Sequence, residues 1–245
     1  MTGIRVTRLK LQYPQNDVPA VNIHELTVEA GEFMAVMGES GSGKTSLLRL
    51  IAGLETPNEG DIYLGGVWMN ETSVGRRPVQ MIFQSLALWP HLRVMDEKSY
   101  SNLSFPLKIR RWSRQQILDR VRGVSDRVGL REELYPRRPD ELSGGEKQRV
   151  ALARAMVTES KTFLMDEPLS SLDPISRPKM RKEIRRVHDE LRSTTLYVTH
   201  NVADARDMAD RIAIMRDGLL LGVGTYDELV KHTSDEYTRL LLSSY

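Results

Sequence analysis

Apolar positions recur along this chain in two rhythms, period two and period 3.6, and the rhythm switches repeatedly. Residues 4–12 and 21–28 alternate apolar and polar side chains, which turns one face of each inward and predicts two strands. Gly31-Glu32 turns the chain into Phe33-Met-Ala-Val-Met37, apolar at every position and therefore a strand covered on both faces. Ser46 to Ala52 is a largely apolar helical stretch closed by Gly53. Residues 61–69 and 79–83 read as further strands.

The pattern then changes. From 86 to 140 proline, arginine and mixed helical signals dominate. Ser113-Arg-Gln-Gln116 is a capping box, in which serine hydroxyl and glutamine side chain each satisfy a backbone N–H of the first turn. Ile117, Leu118, Val121, Val124 and Val128 follow at helical spacing, and Gly129 ends the run. This region reads as a helical lobe inserted between core strands. A helix from about Ser143 to Thr158, a strand at Thr162–Met165 and a helix from about Ile175 to Arg192 come next. A strand at Thr195–Thr199 and a short helix over about Val202–Ala209 follow. The strands Arg211–Arg216 and Leu219–Val223 turn on Asp217-Gly218, and helical segments close the chain. Strands alternating with helices predict an α/β fold with a mainly parallel sheet, an N-terminal antiparallel β part and an inserted α-helical subdomain.

Composition narrows the reading a little. At 245 residues and 40% hydrophobic, the chain can bury an ordinary soluble core. The formal net charge of +2 is too balanced to suggest nucleic-acid binding, so no nucleic-acid partner is expected. Arg110-Arg111, Arg137-Arg138, Arg181-Lys182 and Arg185-Arg186 have acidic residues interspersed around most of them and read as solvated helix faces. The absence of cysteine excludes disulfides and thiolate metal sites. Met1 to Leu11 alternates rather than showing the regions of a signal peptide. No run approaches the roughly 18 apolar residues of a membrane span. If the protein works at a membrane, other subunits must supply the spans.

The chemistry lies in the strand ends and one loop. Gly38-Glu39-Ser40-Gly41-Ser42-Gly43-Lys44-Thr45, followed by Ser46, fits the phosphate-loop pattern, with a strand before it and a helix after it. Glycines let the backbone wrap phosphates, and the helix N-terminus adds positive dipole. Lys44 is placed to reach the β- and γ-phosphates, and Thr45 to put its hydroxyl on Mg²⁺. Asp166 and Glu167 end an apolar strand, where open α/β sheets bind ligands. Asp166 can hold Mg²⁺ through water, and Glu167 can orient or deprotonate an attacking water. The bland alternative is a polar turn. Gln84 ends another strand and reads either as a Mg²⁺ or water ligand or as simple termination. His200 follows the strand ending at Thr199; it is a donor to a γ-phosphate or a structural histidine. Ser143-Gly144-Gly145-Glu146 is itself a capping box, yet each glycine weakens a helix by about 1 kcal/mol relative to alanine. A ligand approaching the backbone explains the two glycines better than a cap does.

Taken together, these segments resemble the ATPase subunit of ATP-binding cassette transporters, over nearly the whole chain. Gly38–Thr45 matches the Walker A loop, Gln84 the Q-loop, and Leu142–Glu146 the family signature, with glutamate where glutamine is commoner. Thr162–Glu167 matches Walker B, Ser170–Asp173 the D-loop, and His200 the switch histidine. Tyr13 sits where the family stacks an aromatic ring on adenine. The resemblance implies a P-loop NTPase core and one nucleotide-binding domain over 1–245, its core at about 1–85 and 160–245 and its helical subdomain at about 86–159. It implies ATP and Mg²⁺ as cofactors and Glu167 as general base. It also implies a head-to-tail homodimer, with Ser143, Gly145 and Asp173 of one chain facing the phosphate loop, Walker B, Gln84 and His200 of the other.

Phe83–Leu92 resembles the docking region of bacterial importers of polar solutes, such as sugars, polyamines, ferric iron and oxyanions. Trp89 replaces the usual phenylalanine there, and Met95–Tyr100 reads as extra. The expectation is an ATPase peripheral to the cytoplasmic side of the cell membrane. It would meet permease subunits through Gln84–His91, in a system with a solute-binding protein. The regulatory domain often found in sugar and polyamine relatives is not expected. The alternative is the ATPase of an exporter or of a lipid or lipoprotein extraction system. A repair ATPase would need a long coiled coil between Gln84 and Ser143, a translation ATPase a second cassette, and a P-loop kinase leaves Asp173 and the signature unexplained.

Overall fold

The alternating segment near the N-terminus folds into a sheet of its own. In the computed structural model, which describes residues 3–243, β1 (Ile4–Leu11) pairs antiparallel with β2 (Val21–Val28). Met1 and Tyr245, the limits of the expected domain, lie outside the described residues. The apolar run forms β3 (Phe33–Met37), and the helix after the phosphate loop is α1 (Lys44–Ala52). Instead of one strand over 61–69 there are two, β4 (Glu59–Leu64) and β5 (Val67–Trp68). Gly65 and Gly66, at φ 58° and 79°, make the two-residue turn between them, a conformation that glycine adopts freely. The first sheet therefore has the order β2-β1-β4-β5.

The second sheet holds the site. It contains β6 (Gln80–Ile82), β7 (Thr162–Asp166), β8 (Thr194–Thr199), β9 (Arg211–Arg216) and β10 (Leu219–Gly224), in the order β10-β9-β3-β8-β7-β6. β3 pairs parallel with β8 and β9, β8 pairs parallel with β7, and β10 closes the edge antiparallel to β9. Strand β3 explains its own composition. Met34 and Val36 face a core shared with β1, β2, β4 and α1, whereas Ala35 and Met37 face a second core. The helix α6 (Val202–Met208) and two closing helices, Tyr226–His232 and Glu236–Ser243, supply Val202, Ala205, Leu229 and Leu242 to that second core.

Two structural units divide the described chain. Among the described residues, the first comprises 3–81, 161–167 and 188–243; the second comprises 82–160 and 168–187. The second is built on α2 (Phe105–Lys108), α3 (Arg114–Arg127), α4 (Gly144–Met156) and most of α5 (Ser176–Leu191). The expected capping box at Ser113 is present, with Gln116 N–H donating to Ser113 and Ser113 N–H to the Gln116 side chain. Ile117, Val121 and Val124 bury one face of α3, which packs on α4. Arg120 from α3 donates to the Met156 and Val157 carbonyls at 2.7 and 3.2 Å, satisfying groups that the end of α4 leaves open. Between α4 and α5, Arg149 pairs with Glu183 at 2.8 Å. The two C-terminal helices are α7 (Tyr226–His232) and α8 (Glu236–Ser243).

Candidate functional site

The strand-loop-helix unit β3–α1 sets the position of every group around it. Gly43 stands at φ 99°, and a Cβ there would lie 2.1 Å from the Ala20 carbonyl oxygen, so the loop can only pass this point as glycine. Gly38 is closed in the same way, by the Met215 carbonyl at 2.0 Å. A Cβ on Gly41 would meet nothing within 4 Å, and the residue lies exposed with Glu39 and Ser40, whereas Ser42 is buried.

Lys44 is buried, and its ammonium donates to the Gly38 carbonyl (2.9 Å), the Glu39 carbonyl (2.6 Å) and the Ser42 hydroxyl (3.2 Å). Burial lowers its pKa below 10.5, against the pull of the Glu167, Asp166 and Glu39 carboxylates. One residue on, the Thr45 hydroxyl donates to Asp166 Oδ1 at 3.0 Å. Asp166 is the last residue of β7, and burial raises its carboxyl above 3.8. Among the described residues no cluster of three His, Cys, Asp or Glu side chains could hold a metal. Thr45 and Asp166 do present hard oxygens side by side. That donor set fits Mg²⁺, which takes one or two protein oxygens and fills the rest of its shell with phosphate and water.

Glu167 follows directly, at φ 43°, and its N–H is tied to the Val198 carbonyl at 3.0 Å. The turn aims the carboxylate at the end of β8, where His200 Nδ1 lies 3.0 Å from Glu167 Oε2. With the carboxylate ionised, Nδ1 carries the proton, and the neutral ring leaves only a lone pair at Nε2. Donation from Nε2 to a phosphate therefore requires the imidazolium. Tyr13 packs against the first core, with its hydroxyl 3.3 Å from Ser46 Oγ. The first unit thus brings together Tyr13, Gly38–Ser46, Asp166, Glu167 and His200.

The sequence pattern assigned none of three supports to the site. Arg77 is buried and donates to Leu50, Ile51, Met69 and Thr72 carbonyls, closing the end of α1. Tyr237 accepts from the Glu39 N–H at 2.9 Å, and Gly218 N–H donates to the Ser42 carbonyl at 3.1 Å. Only the Asp217-Gly218 turn carried a local signal.

The other expected site residues belong to the second unit. Gln84 is exposed, two residues beyond β6. Leu86 and Ala87 have φ of 59° and 45°, and Arg154 donates to both carbonyls at 2.9 and 2.6 Å while its guanidinium lies 4.8 Å over Trp89. Burial pulls the Arg154 pKa down to about 10. Asn102, fully buried, accepts from Trp89 N–H and donates to Trp89, Leu92 and Arg93 carbonyls. The segment read as extra is pinned by Asp96, whose Oδ1 accepts from Lys98 and Ser99 N–H groups. Ser143 caps α4, with Glu146 accepting from its N–H and hydroxyl, both at 2.8 Å. Asp173 Oδ1 accepts from the Ile175 and Ser176 N–H groups at the start of α5. A Cβ on Gly145 would meet nothing within 4 Å, and one on Gly144 would meet only Leu172, at 3.5 Å. Packing within the chain therefore does not require either glycine.

A glycine loop joining a parallel strand to a helix, with carboxylates at the end of β7 beyond β8 in the same sheet, defines a P-loop NTPase fold of the α/β class. The profile of the ABC transporter family matches residues 21–170, and the chain belongs to that family. It is 44% identical over 250 residues to the trehalose/maltose import ATP-binding protein MalK of Thermococcus litoralis, covering 100% of this chain and 65% of MalK. It is 43% identical to the oligosaccharides import ATP-binding protein MsmX of Bacillus subtilis, covering 92% of this chain and 60% of MsmX. The chain thus spans less than two thirds of the length of these curated relatives. Among solved structures, a dimeric ATP-binding cassette in a post-hydrolysis state bound to ADP and Pi superposes with TM-score 0.76 at 27% identity, covering 91% of this chain and 98% of that one. A dimeric bacterial ABC transporter cassette gives 0.79 at 28%, with the same coverage.

Proposed function

We propose that this chain binds and hydrolyses ATP with Mg²⁺ to power solute import through separate permease subunits. The observation that carries the reading is one constellation: Thr45 bonded to Asp166, Glu167 bonded to His200, and Lys44 beneath the phosphate loop. Mg²⁺, when bound, offsets charge on the β- and γ-phosphates; Thr45 and Asp166 are the residues that would hold it. Lys44 adds a fixed positive charge. Glu167 accepts a proton as water oxygen bonds to the γ-phosphorus and the bond to the bridging oxygen breaks, and His200 holds that carboxylate in place. Such chemistry asks a protein mainly for positioning and charge neutralisation.

The import-protein names of the relatives favour an importer, and their sugar substrates favour a polar solute. The two glycines at the head of α4, free of any packing need, favour a second copy of the chain closing over the nucleotide, with Ser143, Gly144, Gly145, Glu146 and Asp173 presented to it. Gln84 would add its amide to the water or the metal. The permease would meet Gln84–His91 on the cytoplasmic face of the membrane, and a solute-binding protein would complete the system. No helix among the described residues is long and apolar enough to cross a membrane, in keeping with separate membrane subunits.

The test is Glu167→Gln, which keeps an amide oxygen for His200 but removes the base. Hydrolysis should fall about 10²- to 10⁴-fold, and light scattering should find an ATP-bound dimer. Retention of hydrolysis within tenfold, or a monomer at saturating ATP and Mg²⁺, would overturn the reading.

A further inference from the structure

We propose that Tyr237 is a positioning residue for the phosphate loop, through which the closing helix α8 sets the affinity for ATP. The inference rests on the ATP-binding reading above and adds to it a brace that lies far away in sequence.

The peptide between Gly38 and Glu39 is held from both sides. Its carbonyl accepts from the Lys44 ammonium at 2.9 Å, and its N–H donates to the Tyr237 hydroxyl at 2.9 Å. Turning this peptide over would break both bonds at once. Tyr237 is itself fixed. Asp235 Oδ2 accepts from the Thr238 N–H at 2.6 Å at the head of α8, the Tyr237 ring packs on the core that lies beneath β3, and the Arg216 guanidinium lies 4.7 Å over that ring. Arg216 opens the β9–β10 turn, whose Gly218 N–H donates to the Ser42 carbonyl at 3.1 Å. The C-terminal part of the first unit therefore grips the loop at Glu39 and at Ser42, one contact on each side of Gly41. Burial pushes the Tyr237 phenol above 10.0, so it is the neutral hydroxyl that accepts from the Glu39 N–H near neutral pH.

The identity of residue 39 matters in this arrangement. Any residue but proline offers the N–H that Tyr237 accepts, and a proline at 39 would leave the hydroxyl with no donor there. If the brace raises the fraction of loops in the binding-competent conformation, losing it raises the apparent Kd by the inverse of that fraction.

The experiment is a double-mutant cycle on the full chain, titrated with ATP and Mg²⁺ by calorimetry. Tyr237→Phe keeps the ring under Arg216 and removes only the oxygen; Glu39→Pro removes the donor, together with the carboxylate and the freedom of φ at residue 39. Each should raise Kd about three- to tenfold, the size of one hydrogen bond partly open to water. The double variant should be no weaker than the weaker single variant. For Tyr237→Phe, KM should rise with kcat kept within twofold, a split that general destabilisation would not produce. A Y237F Kd within 1.5-fold of the parent, or an undiminished Y237F effect in the E39P background, overturns the proposal. If E39P loses helical circular dichroism, Arg216→Gln takes its place in the cycle: it must weaken binding when residue 237 is tyrosine and leave it unchanged when it is phenylalanine. A parent chain that binds no ATP sinks the nucleotide reading itself, and this inference with it.

Discussion

Arg154→Met tests whether the segment resembling an importer docking region is held by one half-buried cation. Arg154 contributes a bond to the Leu86 carbonyl, a more solvent-exposed bond to the Ala87 carbonyl, and a stack on Trp89. Charge-assisted bonds of this kind contribute about 2 kcal/mol where buried and about 1 kcal/mol where open to water. The stack adds about 1 kcal/mol. Against this stands the desolvation that pulls the guanidinium pKa down to about 10. At 1.36 kcal/mol per pKa unit, and discounted for the exposed part of the group, that penalty is about 2 kcal/mol. Methionine fills much of the same space without charge, so the balance is a loss of about 2 kcal/mol. Urea unfolding followed by tryptophan fluorescence should show it, and a protease should cut within 85–92, where Leu86 and Ala87 hold left-handed conformations. Arg154→Lys keeps the charge but not the two-pronged geometry and should lose about half as much. A methionine variant within 0.5 kcal/mol of the parent, or more stable than it, would show that desolvation matches or outweighs the bonds.

Gly145→Ala should separate stability from function: the open space at its Cβ lets alanine strengthen α4 by up to about 1 kcal/mol, raising Tm by about 2–4 °C, while hydrolysis falls at least about tenfold because the partner chain is kept away. Full hydrolysis by this variant would rule out the shared site. Ser143→Arg should leave ATP binding by the monomer intact yet abolish hydrolysis, with about 1 kcal/mol lost as the cap disappears; normal turnover would contradict it. Tyr135 donates to Ser125 at 2.9 Å, and burial raises its phenol above 10.0. The folded state then holds this proton more tightly than the unfolded chain, so the stability it brings is complete below pH 10 and is lost as pH rises through the raised value. Tyr135→Phe should be about 1 kcal/mol less stable at pH 8, with the gap closing above pH 10 in urea titrations. A gap that stays constant to pH 11 would refute the assignment.

Much of the fold could be read from local pattern because it is local in cause. The β3 segment, apolar at every position, is buried on both faces, and Ser113 and Ser143 cap helices through their own third residues. The 61–69 reading went wrong where apolar spacing outweighed Gly65-Gly66, a pair that should have signalled a hairpin. The groups of the phosphate loop and the strand ends were legible because a strand end followed by Gly, Asp or Glu is itself a pattern. Arg77, Arg154 and Tyr237 were not. Each acts on backbone carbonyls or N–H groups that any residue could supply, so neither partner leaves a mark in the sequence. The pairing of Glu39 with Tyr237 across the chain is the extreme case.

The parallel pairing of β3 has a consequence for how the protein is made. Phe33 aligns with Thr195 and Met34 with Arg211, so neither neighbour of the central strand exists until synthesis has passed β8 and β9. At roughly 5–20 residues per second, the interval is on the order of ten to thirty seconds. During it the most apolar strand has no sheet to join, while β1 and β2 can already zip together from a short connection. The phosphate loop is therefore synthesised well before the strands that complete its shape. Mutations that weaken β8 or β9 should show first as poor yield during synthesis, before any loss of nucleotide affinity in the protein that survives.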